Sequence, residues 1–320
     1  MRDPYTFHVG ETAVQDRASV PARTREMASR VIRDAMPRQH QEFFESLPFM
    51  FLALLDHRGR PWAVPVSGAP GFVRAPSPQR LCLSGVPVLA QEFDLDTTPG
   101  TRIGLIGIDL AMRRRNRVNG RIASRGEGLA IAVEQSFGNC PNYIHARAFG
   151  PLPVDPPPPV RQPMQLDSDV ARRIIAGADT FFIASRGAHP ADNANEGLDV
   201  SHRGGQPGFL GVDDDGTLSF PDFSGNRYFN TLGNIEADGR VGLFVPDFAR
   251  GDAILLTGHA SVDWTPDRVA AFAGAERIVD MVPDEIWHVE HAFPAAAHLI
   301  KVWPGLNQTG GWKDAHPISS

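Results

Sequence analysis

Short apolar runs, separated by glycine, proline and polar turns, fill most of the chain. FMFLALLD, RPWAVPVSG and QRLCLSG occur in the first half, and TFFIAS, TLSFPDF, RVGLFV and DAILLTGHASVDW in the second. Runs of this kind are typical of strands. A helical segment precedes each series, RQHQEFFESLP in the first and SDVARRIIAGA in the second. The pattern predicts a mainly β fold with peripheral helices (α+β), built as two small β-barrels.

An internal repeat supports two copies of one fold. TRIGLIGIDLAMRRRNRVNGRI in the first half resembles GRVGLFVPDFARGDAILLTGHA in the second, at a spacing of 138 residues. The matched positions are Arg102, Gly104, Leu105, Asp109 and Gly120 with Arg240, Gly242, Leu243, Asp247 and Gly258. Farther upstream, APGFV matches QPGFL at a spacing of 137. Several matches in one register indicate a duplication.

The repeat predicts four segments. Residues 1–36 form an N-terminal helical extension, and residues 37–150 form the first barrel. Residues 151–168, PLPVDPPPPVRQPMQLDS, form a proline-rich, semi-rigid linker. Residues 169–320 form the second barrel.

Composition narrows the class of protein. The 320 residues are 42% hydrophobic and 21% charged, as in folded globular proteins. The net charge of −6 argues against a general nucleic-acid-binding surface. Cys82 and Cys140 are the only cysteines, too few for a disulfide framework or a cysteine-based zinc site. With no signal-peptide core and no apolar run of membrane-spanning length, we expect a cytoplasmic protein that binds no membrane.

The stretch SFPDFSGNRYFNTLGN carries the clearest chemistry. A strand runs into Ser224, Gly225, Asn226 and Arg227, and then into a predicted helix. Unpaired N–H groups at a helix start, together with an arginine, suit an anionic ligand. The alternative is a helix capped by Ser224 with a turn glycine.

Neighbouring stretches extend this pattern. In LDVSHRGG, strand alternation places Ser201 and Arg203 on one face and His202 on the other, so Ser201 and His202 are not a nucleophile and its base. On the predicted helix, Asn226, Asn230 and Asn234 form a polar stripe, either solvated or next to the ligand.

With GLDVSHRGGQPGFL, LSFPDFSGNRYFNTLGNI, RVGLFV and QSFGNCPNYIHAR in view, the chain resembles the FMN-binding split-barrel family related to pyridoxamine 5′-phosphate oxidase, in its tandem form. The resemblance implies an FMN-dependent oxidoreductase that moves electrons or hydride between a reduced donor and a small-molecule acceptor or oxygen. Related pairs can be fused to a reductase and a ferredoxin, which are not present here. We therefore expect a separate electron donor, such as a reductase or reduced nicotinamide.

The resemblance also implies where the flavin would sit. Its phosphate would contact Arg203, the Ser-Gly-Asn-Arg turn and the start of the following helix. Either Phe220 or Phe223 would cover the flavin ring; the alternative is that both are ordinary core residues. The implied cofactor-binding residues are Ser201, Arg203, Phe220, Asp222, Phe223, Ser224, Arg227 and Asn230.

The first copy departs from this pattern. LCLSGVPVLAQEF replaces the Ser-Gly-Asn-Arg turn, and WAVPVSGAP lacks the Ser-x-Arg strand, so the first barrel is expected to be degenerate and to act as the partner of the second. Cys140 and Tyr143 would then approach the flavin, unless they form only a structural turn. The arginines at 113–115 and 117 are expected in a solvated hairpin rather than an anion site.

The sequence also leaves several other sites and functions to consider. HVEH (288–291) has helical metal-ligand spacing but no evident third ligand, so no metal site is predicted, and neither a Walker loop nor a Gly-x-Gly-x-x-Gly motif occurs. True pyridoxamine phosphate oxidation would need a second cationic phosphate pocket. A rival function is a non-catalytic flavin or haem carrier, with His202, His259, His288 or His291 as haem ligand. The sequence leaves open whether the chain acts alone or as a homodimer.

Overall fold

The computed structural model describes residues 5–153, 155–189, 194–293 and 296–312. The helices are α1 (Val9–Arg17), α2 (Ala22–Val31), α3 (Arg38–Glu45), α4 (Val88–Glu92), α5 (Asp169–Gly177), α6 (Asn230–Ala237) and α7 (Pro266–Ala270). The strands of the first half are β1 (Phe49–Leu55), β2 (Pro61–Ser67), β3 (Val73–Ser77), β4 (Arg80–Leu83), β5 (Arg102–Asp109), β6 (Arg114–Arg125), β7 (Leu129–Asn139) and β8 (Ala146–Phe149). Those that follow are β9 (Val160–Pro163), β10 (Thr180–Arg186), β11 (Leu198–Gly204), β12 (Gly211–Val212), β13 (Leu218–Phe223), β14 (Arg240–Asp247), β15 (Asp252–Asp263), β16 (Ala275–Glu290) and β17 (Ala297–Lys301).

The predicted mainly β fold with peripheral helices is confirmed, and its two large sheets share one topology. The first runs β2-β1-β5-β6-β7-β4-β3, and the second β11-β10-β14-β15-β16-β13-β12. At each position of the second sheet, the strand number is nine higher than at the same position of the first sheet. Both sheets are open: in the described part of the chain, no pairing joins their outermost strands into a closed barrel. The proline-rich segment contributes β9, which pairs with β16, while β8 pairs with β17. Among the described residues, no helix has the length and apolar character needed to cross a membrane.

Two glycines of the sequence repeat occupy the same irregularity in both sheets. The register of β6 and β7 shifts at Gly120, and that of β15 and β16 shifts at Gly258. A Cβ atom would lie 2.0 Å from the Ala132 carbonyl oxygen at the first position and 2.2 Å from that of Val282 at the second. Only glycine fits, so the repeat preserves a β-bulge.

The two halves pack face to face about a pseudo-two-fold axis. Phe51 of β1 lies opposite Ile106, and Phe182 of β10 lies opposite Phe244 in the equivalent register. These two equivalent rings stack on each other, with centroids 3.5 Å apart and planes 12° apart. The axis therefore passes close to this pair.

A pair of glycines lets the halves approach closely. A Cβ atom on Gly104 of β5 would lie 2.6 Å from the Leu198 carbonyl oxygen of β11. On the equivalent Gly242 of β14, it would lie 2.1 Å from the Pro61 carbonyl oxygen of β2. Each half thus places its β5-type glycine against the outermost strand of the other, a reciprocal contact like that of an isologous dimer.

The N-terminal helix packs on the second half. His8 and Glu11 form a capping box at the start of α1, where the His8 ring accepts from the Gly10 N–H and Glu11 accepts from the His8 N–H. Gly10 lies against Gly233 of α6, where a Cβ atom would come within 2.1 Å of the Gly233 carbonyl oxygen. This close approach buries Glu11 beneath the start of α6.

Candidate functional site

A cleft lies between the two halves, beside the pseudo-two-fold axis. The first half contributes Ile106, Arg115, Arg117, Asn139, Cys140 and Tyr143, and the second half contributes 201–204, Phe209, 221–227 and 229–232. Of the implied cofactor-binding residues, together with Cys140 and Tyr143, all but one line this cleft. The exception is Phe220, which is 1% exposed and packs edge-on against Phe181 at 4.9 Å. Its role is core packing, and ring cover by Phe220 is not supported.

The turn after β13 differs from the predicted strand-to-helix junction. The helix begins at Asn230 with Phe229 as its N-cap, and no side chain among the described residues caps it, so Ser224 is not the cap. Arg227 and Phe229 adopt left-handed backbone, with φ of 60° and 62°, which costs about 1–3 kcal/mol each. The surrounding structure must hold this strained loop. Residues 224–227 of this loop and residues 230–232 at the start of α6 line the cleft.

Cationic groups converge at this end of the cleft. Arg227 is exposed and forms no ion pair with any residue that the structure describes. Arg203 donates to Asp222 at 2.8 Å. Asp222 also accepts from Arg277, at 2.9 Å from Nε. The Asp222 carboxylate therefore holds two arginines in place.

Two arginines of the first half enter the cleft, which corrects the expected solvated hairpin. Arg115 and Arg117 are 9% and 3% exposed. Arg117 donates to Asp199 at 2.9 Å, to the Asn230 amide oxygen at 3.2 Å and to the Ser201 hydroxyl. Ser201 is thus engaged by an arginine from the other half. This network joins β6 to β11 and to the first residue of α6.

Arg115 fixes the protonation of His202. It donates to His202 Nδ1 and to the His202 carbonyl oxygen, both at 3.0 Å, and to the Cys140 carbonyl oxygen at 3.0 Å. Burial, together with the charge of Arg115, lowers the pKa of His202 well below its ordinary value. The ring is therefore neutral, and because Nδ1 accepts a hydrogen bond, Nε2 carries the proton.

Tyr143 ties the first half to the turn after β13. Its ring stacks on Phe223 with centroids 5.1 Å apart, and its hydroxyl donates to the Ser224 carbonyl oxygen at 2.9 Å. Burial raises the pKa of Tyr143 to about 12, so the hydroxyl remains a donor at neutral pH. Cys140 is half-buried on the same wall. These residues make one side of the cleft aromatic.

The asparagines of the predicted polar stripe do not form a solvated face. Asn226 precedes the helix and accepts from the Tyr228 N–H. Asn230 donates to Glu11 at 2.5 Å, and Asn234 donates to Asp199 at 3.0 Å. Burial, followed by the charge of Asp199, raises the pKa of Glu11 to about 8. Asn230 and Asn234 thus form a buried link between α1, α6 and the arginine network, while Asn226 is exposed.

HVEH does not adopt the helical geometry suggested by its spacing. His288 belongs to β16, and His291 follows the end of that strand. The two histidines therefore do not lie one turn apart on a helix, as their spacing suggested.

The pseudo-two-fold counterpart of the cleft lacks the equivalents of Arg115 and Arg203. At the 138-residue spacing, Arg115 of β6 corresponds to Ala253 of β15. By strand register, Arg203 of β11 corresponds to Val66 of β2. The duplicated fold therefore carries one arginine-rich cleft and one apolar equivalent.

Comparison with known proteins finds likeness in solved structures only. No protein-family model and no curated protein matches the chain. HupZ of Group A Streptococcus matches 37% of this chain and 90% of its own, at 12% identity and a TM-score of 0.30. A protein of Lactobacillus delbrueckii provisionally described as a pyridoxamine 5′-phosphate oxidase matches 37% and 91%, at 17% identity and 0.29. General Stress Protein 26 of Bacillus anthracis matches 40% and 94%, at 13% identity and 0.27.

Proposed function

We propose that the protein is an FMN-dependent oxidoreductase of the tandem split-barrel type, with one flavin in the cleft between its halves. The observation that carries this proposal is a single cleft with two chemically different parts. One part combines exposed Arg227, Arg203 and the start of α6 without a side-chain cap. The other is walled by Tyr143 and Phe223. An anionic group joined to a flat aromatic system is complementary to both.

The cationic part fits one phosphate. Arg227, the Ser224 hydroxyl and the N–H groups at the start of α6 would hold it, with Arg203 beside them. Arg203 is already oriented by Asp222, so little side-chain freedom is lost on binding. One helix start and one turn suit a single phosphate, which favours FMN over a dinucleotide.

The first-half wall would orient and tune the cofactor. When bound, a flavin supplies two-electron chemistry at its N5 position. Arg115 is held by His202 and the Cys140 main chain, so its positive charge is fixed beside the cleft. A fixed cation in a poorly solvated site favours negative charge on a bound ring. Cys140 and Tyr143 lie where an acceptor molecule would approach.

The structure does not favour the haem alternative. Of the histidines considered as axial ligands, His202 lines the cleft. Its Nδ1 accepts from Arg115, so its Nε2 is protonated and offers no lone pair to iron. His259 is exposed and lies 3.5 Å from Asp284, outside the cleft. A non-catalytic flavin carrier stays as the second candidate.

Titration of apo-protein with FMN, followed by flavin fluorescence, tests the proposed site. Hydrogen bonds to charged groups contribute about 1.5–3 kcal/mol, so Arg227→Ala should weaken FMN binding by roughly ten- to more than a hundredfold. Arg38→Ala, at another exposed arginine, serves as the matched control. Ser224→Ala should have a smaller effect, because a neutral hydroxyl is lost. Equal FMN affinity in Arg227→Ala and the parent would refute the phosphate site.

Turnover separates an enzyme from a carrier. The FMN-loaded protein, supplied with a flavin reductase and reduced nicotinamide, should pass electrons to oxygen or a small quinone faster than the reductase with free FMN. A rate equal to that control would leave flavin binding intact but reject catalysis.

A further inference from the structure

A second cavity, of about 190 Å³, lies at the pseudo-two-fold equivalent of the candidate cleft. It is lined by Pro65 and Val66 of β2 and by Val88 and Leu89 of α4. Pro65 lies opposite Phe51, as His202 lies opposite Phe182, so the two positions are equivalent. The cavity is thus the first half's version of the cleft.

Most of its lining residues are apolar, whereas several arginines line the candidate cleft. Where the candidate cleft has Arg203, this cavity has Val66. Phe293 and Ala292 complete the apolar lining from the segment after β16. A phosphate would find no equivalent of the Arg203 and Arg227 pair. An apolar group would be well accommodated.

The proline-rich segment forms an additional wall. Pro156, Pro157 and Pro159 line the cavity. The segment is anchored just beyond them, because β9 pairs with β16 and Arg161 lies over the rings of Phe93 and Trp287 at 5.0 and 4.9 Å. The wall is therefore part of the fold, and the cavity is preformed.

One cation is well placed at this cavity. Arg250 lines it together with His291 and Ser67. Among the residues that the structure describes, the carboxylate nearest to Arg250 is that of Asp247, at 4.0 Å, and this group also binds Arg173 at 2.5 Å. Arg250 is therefore weakly paired, and its side chain is largely exposed. An incoming carboxylate would meet little competition.

We propose that this cavity binds a small amphipathic carboxylate, with its aryl or branched alkyl body among the prolines, Val66 and Leu89 and its carboxylate at Arg250. The single cation and the apolar walls select this class over phosphates and nucleotides. The site does not depend on flavin binding, because its lining shares no residue with the candidate cleft.

Isothermal titration of the full chain with 3-phenylpropionate, in saturating FMN, tests the proposal. We expect one site per chain, and at least tenfold weaker binding of the uncharged 3-phenylpropan-1-ol. Val88→Trp should abolish binding by filling the cavity from an exposed position. Val282→Trp, a comparably exposed valine outside the cavity, should not. If Val88→Trp fails to fold, Pro157→Trp fills the cavity from the opposite wall.

The charge contact is tested separately. Arg250→Gln should weaken 3-phenylpropionate binding about tenfold without changing that of the alcohol, and Arg172→Gln on α5 should leave both unchanged. No binding at millimolar probe, equal affinity of acid and alcohol, or unchanged binding in the tryptophan or Arg250 variants would overturn the proposal. A parallel titration without FMN should give the same affinity, and probe binding that occurs only without FMN would overturn the proposal as well, because it would place the probe in the candidate cleft.

Discussion

Replacing Glu11 with glutamine should change how the stability of the protein depends on pH. Burial, followed by the charge of Asp199, raises the pKa of Glu11 from 4.5 to about 8, although the hydrogen bonds that it accepts from Asn230 and the His8 N–H act in the opposite direction. The folded state therefore favours the protonated acid. This favourable term is fully present below about pH 4.5, declines as pH rises, and is lost above about pH 8. The difference corresponds to at most about 5 kcal/mol, because each pH unit is 1.36 kcal/mol.

Urea unfolding between pH 5 and 9 measures this effect. A glutamine mimics the neutral acid, so Glu11→Gln should be more stable than the parent at pH 9 by a few kcal/mol and should differ little from it at pH 5. Glu127→Gln, at an exposed glutamate, is the control and should follow the parent throughout. If Glu11→Gln and the parent lose stability equally from pH 5 to 9, the buried, protonated Glu11 inferred here is incorrect.

Three further predictions concern the interface and the cleft. In urea unfolding, Gly242→Ala should lower the free energy of unfolding by several kcal/mol, because the added Cβ would lie 2.1 Å from the Pro61 carbonyl oxygen. Gly138→Ala, whose added Cβ would have its nearest neighbour at 3.5 Å, is the control and should lower that free energy far less. Tyr143→Ala should weaken FMN binding more than Tyr143→Phe, which keeps the ring stacked on Phe223; similar losses in fluorescence titration would mean that the hydroxyl, not the ring, matters. Reconstituted protein should contain one FMN per chain by absorbance, and a value near two would contradict the loss of charge in the first half.

Local patterns in the sequence predicted much of the fold. Strand runs such as FMFLALLD and TFFIAS became β1 and β10, and the repeat became two sheets of one topology. Ser201 and Arg203 both line the cleft, and so does His202, which strand alternation placed on the opposite face.

The errors arose where distant segments determine burial. Arg115 and Arg117 resemble a solvated hairpin until β11 of the other half packs over them and Asp199 pairs with Arg117. Their positions two residues apart on one strand face were the available signal. The buried hydrogen bond between Asn230 and Glu11 was not predicted, because the two residues lie 219 positions apart. Such contacts have no local sequence signature.

Identification of the bound cofactor tests most directly whether the cleft holds one FMN. The protein is saturated with a mixture of FMN, FAD and haem, freed of excess ligand and denatured, and the released molecules are identified by mass spectrometry and absorbance. The arrangement of Arg203, Ser224 and Arg227 at one helix start predicts FMN, at about one equivalent per chain, in the parent and much less in Arg227→Ala. Release of FAD or haem instead, or of no flavin, would contradict it.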